Sequence, residues 1–176
     1  MSTTTPQPTP TQKIKNTRWR IDPTRSQIEF HTPTLWGLMT VKGRFEHYHG
    51  TLDLRHDPAI ALTIDAASLT THNKIRDKHL RSSDFFDVAN HPHVRFVSDS
   101  AKLHGERLTV SGHLHTAGKR TPLDLDATLR QIDGELEIDT SASADQFELG
   151  MSHGTLGMIR TPSQLSVRGR LVRAAD

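Results

Sequence analysis

From Trp19 onward, apolar side chains recur at every second position, the spacing of a strand with one buried and one solvated face. The clearest run sets Ile60, Leu62, Ile64 and Ala66 against Ala61, Thr63 and Asp65. Leu108, Val110, Gly112, Leu114 and Thr116 form a second run, and Leu123, Leu125, Ala127 and Leu129 a third. Leu136, Ile138, Thr140 and Ala142 continue the pattern, as do Leu165, Val167, Gly169 and Leu171 opposite Ser166, Arg168 and Arg170. Shorter pieces precede them. Trp19 and Ile21 share a face, Ile28 and Phe30 follow a turn expected at Asp22-Pro23, and Val41, Gly43 and Phe45 form the next face. Leu52 and Leu54 come after Gly50, and Val94, Phe96 and Ser98 after Pro92.

One stretch breaks the alternation. Residues 72 to 90, with His79-Leu80-Arg81-Ser82-Ser83-Asp84-Phe85-Phe86 at their centre and His91-Pro92 as a stop, predict a helical plug among strands. Short turns such as His104-Gly105-Glu106 and Ile132-Asp133-Gly134 join the strands as hairpins. The expected fold class is all-β: an antiparallel up-and-down barrel, closed because closure removes exposed edges, with one mouth covered by the plug.

The inward face is aliphatic and interrupted by Gly43, Ala66, Gly112, Ala127, Ala142 and Gly169. A barrel of about eight strands is just wide enough to be filled by side chains or to hold one small ligand. Small inward residues fit a hollow, dry lumen whose natural occupant is a long apolar chain. They fit equally the taper and corners of a packed barrel.

The chain has 176 residues, long enough for one domain with a sizeable core. Its net charge of +2 is spread among acids, without the basic footprint of a nucleic-acid binder. No cysteine is present, which excludes disulfide and thiolate chemistry. Residues 1–17 are rich in Thr and Pro and read as a disordered tail, leaving 18–176 as the barrel domain. No apolar run suits a signal-peptide core or approaches the about 18 residues of a spanning helix, so the expected location is cytoplasmic.

Several stretches resemble the YceI-like family of lipocalin-like polyisoprenoid-binding proteins. Ile21-Asp22-Pro23-Thr24-Arg25-Ser26-Gln27-Ile28-Glu29-Phe30 is similar to the family's first hairpin, and Val41-Lys42-Gly43-Arg44-Phe45 to its Gly-x-Phe strand. Ala67-Ser68-Leu69-Thr70-Thr71 followed by Arg76-Asp77-Lys78-His79-Leu80-Arg81-Ser82-Ser83-Asp84-Phe85-Phe86 is the strongest match. Ser111-Gly112-His113-Leu114 and Gly118-Lys119-Arg120-Thr121-Pro122-Leu123 resemble a late hairpin. Each piece is weak alone; in this order they are specific, from about Trp19 to Val172. The resemblance implies an eight-stranded antiparallel barrel with a helical lid. It implies binding or transfer of an amphiphile such as a polyprenyl chain or isoprenoid quinone, with no catalytic group and no further cofactor. Two departures stand out. Pro33-Thr34-Leu35-Trp36 replaces a stretch where the family usually carries a His, and Gln146 and Leu149 stand where it has Arg and Phe. Both fall near segments that could meet a ligand headgroup.

Candidate ligand-binding residues are the inward Phe45, Phe96 and Leu114, the adjacent Phe85 and Phe86, and the rim residues Trp36, Leu38, Phe147, Met151 and Met158. Phe85 and Phe86 point in different directions, so one could close the mouth while the other touches ligand, or both pack the plug onto the sheet. Three His pairs at strand spacing (His47/His49, His91/His93, His113/His115) lack a third ligand, and no metal site is expected. An enzyme using His31, His72 or His79 in the same cavity is the alternative, and a packed barrel binding a partner through Arg168, Arg170 and Arg173 a third reading. The expected partner is an amphiphilic lipid, with transient membrane contact and a homodimer both left open.

Overall fold

A computed structural model describes residues 14–34, 39–144 and 162–175. Ten strand segments run in chain order: β1 (Arg18–Thr34), β2 (Met39–Phe45), β3 (Tyr48–Asp53), β4 (Ala59–Asp65), β5 (Leu69–Thr70), β6 (His93–His104), β7 (Arg107–Thr116), β8 (Lys119–Ile132), β9 (Glu135–Ala144) and β10 (Ser163–Arg173). All pairings are antiparallel, and β10 closes on β1.

The ten segments make eight barrel strands because two are kinked. β2 pairs with the second half of β1 and β3 with its first half, so the two form one strand broken at Glu46-His47. Similarly, β4 pairs with β3, and after a 3-10 turn at Ala66–Ser68 the chain pairs with β2 as β5. Ser68 pins both kinks: its Oγ accepts the backbone N–H groups of Glu46 and His47 and donates to Asp65 O at 2.7 Å. Counted this way the barrel is up-and-down from start to finish. Two-residue hairpins at Ala117-Gly118 and Asp133-Gly134 put both central residues at positive φ, the geometry that matches strand twist.

The turn expected at Asp22-Pro23 is absent: β1 is one continuous strand with a bulge. Its register against β10 jumps from Asp22↔Arg170 to Gln27↔Arg168. The Asp22 carboxylate accepts Thr24 N–H at 3.0 Å and Thr24 Oγ1–H at 2.7 Å, a local alternative to the ladder, after which the strand resumes in the same direction. These bonds and the Arg25 guanidinium lower the Asp22 pKa to about 2. Arg25 also grips Glu135 with two bonds of 2.8 Å.

The helical passage is shorter than the 72–90 expected. Only α1 (Lys74–Leu80) is helical, and turns follow, with His72 and Asp87 at positive φ on either side. Ser82 Oγ turns back onto His79 O at 2.6 Å, so the local polar groups satisfy the backbone without further helix.

The two barrel ends differ. At one, Trp19, Leu108, Leu129 and Leu136 are almost fully buried and form a floor. Chain already precedes β1 there, since Asn16 N–H bonds Leu54 O at 2.8 Å and Trp19 Nε1–H reaches Ile14 O. At the other lie the end of β1, the β7–β8 turn and α1.

Candidate functional site

Above the floor the barrel is hollow. A cavity of about 340 Å³ lies within it, walled by Ile28, Phe45, Leu62, Phe96, Leu114, Leu125 and Val167 among others. An engineered apolar cavity of about 150 Å³ stays dry and binds benzene, so this lumen has room for a longer apolar molecule.

The small inward residues divide into two groups. Ala127 and Ala142 border the cavity, so their missing side chains do leave space. Gly43, Ala66, Gly112 and Gly169 do not border it, and neighbours occupy the room above the three glycines. A Cβ on Gly43 would sit 2.3 Å from Phe30 Cζ, one on Gly112 2.5 Å from Val97 O, and one on Gly169 2.0 Å from Ser26 Oγ. The two latter glycines face the irregular registers of β6 and β1, where backbone and side chain crowd inward.

The mouth is built by α1 and the turns after it. Asn73 caps the helix, its side chain accepting the N–H groups of Ile75 and Arg76. The helix turns Arg76, Asp77 and Leu80 towards the barrel. Asp77 is buried, and its carboxylate accepts Thr71 N–H at 2.8 Å, Thr71 Oγ1–H and, at 3.4 Å, Thr70 Oγ1–H. Arg76 binds the same threonine, through Nε–H to Oγ1 at 2.8 Å and NH2 to the carbonyl at 3.0 Å. Arg81 donates to the carbonyls of Ala67 and Leu69. The helix is therefore latched to β5 by charge-assisted bonds.

Burial raises the Asp77 pKa, but the bonds from Thr71 and Thr70 and the charge of Arg81 outweigh it, and the pKa lies below its ordinary 3.8. A carboxylate lowered in the fold stabilises above its unfolded pKa and loses that effect as pH falls through the folded one. The latch is thus intact at neutral pH and loosens in acid below about pH 4. The Thr71 amide resonance should shift over that acid range, and in Asp77→Asn the shift should disappear.

Phe86 joins the latch to the wall. Its ring meets Phe45 edge-on at 5.8 Å and Phe30 at 6.3 Å, while Phe30 and Phe45 lie 5.6 Å apart. Phe85 lies edge-on to His79 at 4.9 Å. Both Phe85 and Phe86 border the cavity, so the second also serves as core.

Phe45, Phe85, Phe86, Phe96 and Leu114 all border the one lumen. Trp36, Leu38, Phe147, Met151 and Met158 lie outside the described residues. Of the three histidines weighed for catalysis, only His79 borders the cavity, half-exposed and 3.8 Å from Asp84. Among the described residues no three His, Asp or Glu converge as a metal site would require. The basic outer strand is matched by acids on β9: Arg168 meets Asp139 at 3.3 Å and Arg170 meets Glu137 at 3.5 Å.

Arg76 and the Thr116 hydroxyl are polar features of the lumen outside the candidate binding residues. Arg76 and His79 are the ionisable groups among the described lining residues, both at the mouth. Thr116 also lines it, and its buried hydroxyl has no partner among the described residues. Its place at the end of an apolar alternating run was the available signal, since a lone polar residue there faces inward.

A closed antiparallel barrel with one apolar lumen and a latched mouth belongs to the class of lipocalin-like barrels. The YceI-like domain family model matches residues 19–170, and the chain belongs to that family. Over 97 residues it is 36% identical to Protein YceI of Escherichia coli O157:H7, covering 53% of this chain and 51% of that one. UPF0312 protein PC1_2518 of Pectobacterium carotovorum is 37% identical over 106 residues, 58% of this chain and 55% of the relative. The matched stretch thus spans about half the length of these curated relatives. Burkholderia cenocepacia BcnA superposes with a TM-score of 0.76 at 17% identity, covering 86% of this chain and 99% of that one. A polyisoprenoid binding domain from Saccharophagus degradans, implicated in plant cell wall breakdown, superposes at 0.74 with 15% identity, covering 89% and 98%. At these identities the likeness shows the fold.

Proposed function

We propose that this barrel carries or stores a long apolar lipid of isoprenoid type, a polyisoprenoid or an isoprenoid quinone, with its tail in the lumen. The observation that carries the reading is the apolar cavity of about 340 Å³ between floor and latch. The Saccharophagus degradans domain of like fold is described as binding a polyisoprenoid, which supports the same class of ligand.

The driving force is desolvation. Each buried methylene contributes roughly 0.8 kcal/mol, so a tail binds without specific polar contacts, and ordering costs bring the observed affinity below that sum. The lumen is apolar at depth and polar at its mouth, which orients an amphiphile tail-first. Arg76, His79 and the Thr116 hydroxyl, which has no partner among the described residues, are the groups available to meet its polar end.

The test is a chain-length series. Delipidated protein is titrated with isoprenols of increasing length against a fluorescent apolar probe. Affinity should climb with each isoprene unit and level off once the lumen is full. Binding independent of tail length would overturn the reading.

A further inference from the structure

Helix α1 wears its polarity inside out. Asp77 is buried against the barrel, whereas Ile75 is 84% exposed, the most exposed large apolar side chain among the described residues. A surface helix ordinarily turns its apolar stripe inward, so folding gives no reason for Ile75 to face water. Lys74 and Lys78, one turn apart, share that outer face, and both are exposed. Neither has an acidic partner among the described residues.

The same rim carries more positive charge. The His91 ring lies over Gly118, which joins the segment after α1 to the β7–β8 turn. Beside it, Arg95, Lys119 and Arg120 border an open surface groove, Arg120 with Asp99 3.9 Å away. Arg95, His115 and Arg120 face one another across β6, β7 and β8. Towards the floor several arginines are paired, Arg25 with Asp22 at 2.8 Å, Arg55 with Asp53 at 2.6 Å and Arg107 with Asp126 at 3.0 Å.

We propose that the mouth end docks on an anionic lipid bilayer, Ile75 entering the interface and Lys74, Lys78 and Arg95 meeting the headgroups. This rests on the lipid-binding reading above: a water-insoluble tail then passes between membrane and lumen beside the latch without crossing water. Lysines near an anionic surface attract it electrostatically, and an inserted apolar side chain adds to that. Among the described residues Ile75 is by far the most exposed large apolar side chain, which makes its end of the barrel the favoured face.

The experiment is flotation of the full chain with phosphatidylcholine vesicles, with and without phosphatidylglycerol. Binding should require phosphatidylglycerol and weaken as salt rises. Lys74→Gln with Lys78→Gln should weaken it about thirtyfold, and Ile75→Ser about tenfold. These side chains are exposed, so melting should stay unchanged. Lys102→Gln, towards the floor, should change nothing. Absence of binding to phosphatidylglycerol vesicles, or equal losses from Lys102→Gln and the α1 variants, overturns the proposal and turns the patch over to a protein partner. Isoprenol titration of the same variants separates the two ideas. Normal isoprenol affinity without vesicle binding sinks docking alone; vesicle binding by a barrel that takes no isoprenol supports docking and sinks the lipid-carrier reading.

Discussion

Replacing Ala142 by tryptophan should abolish uptake of long isoprenols while leaving the barrel folded. Ala142 sits on β9 opposite Leu165, and both border the cavity. An indole there projects into space that is already empty, so it does not meet the overpacking penalty of about 1–3 kcal/mol that extra carbon costs in a filled core. It removes the volume a tail needs and adds apolar contact for the protein itself. Ligand-free melting should therefore hold or rise as binding disappears. Unchanged isoprenol affinity in this variant would mean that ligand sits elsewhere.

Trp19→Ala should give the opposite separation. Trp19 is 1% exposed, bonds Ile14 O through Nε1–H, and carries the Arg173 guanidinium 5.9 Å from its ring. It borders no part of the cavity as described. Truncating a buried tryptophan costs about 3–5 kcal/mol, a large share of a typical domain stability of about 5–15 kcal/mol. At about 2–4 °C per kcal/mol for a chain of this size, melting should fall by about 10 °C. At a temperature where the variant is folded, isoprenol affinity should match the native protein. Together the two substitutions assign stability to the floor and binding to the lumen.

How much of this was readable from the chain follows from the range of the interactions involved. Period-two runs such as Leu108 to Thr116 reflect one residue at a time facing one core, so the strands, their inward faces and the lumen residues Phe45, Phe96 and Leu114 were legible. The Asp133-Gly134 hairpin is local chemistry and was legible too. Asp22-Pro23 misled because the same Asx chemistry serves a turn or a bulge, and only pairing of β1 with β10 on both sides decides between them. The glycines were ambiguous for a related reason. Whether Gly43 leaves a hole depends on the Phe30 ring from a neighbouring strand. The Asp77 latch joins residues six apart through a turn at positive φ, a geometry that no periodicity announces. The plug is helical only over Lys74–Leu80, with Arg81 as its C-cap, because Ser82 turns back onto His79 O and the chain continues in turns.

The central claim is that the lumen holds an apolar tail, and native mass spectrometry of protein purified without detergent or denaturant from its own cells tests it most directly. The spectrum should show the intact chain with one bound species, released on activation and identified as an isoprenoid. A spectrum showing only the bare chain, or a bound species that is small and polar, would contradict it.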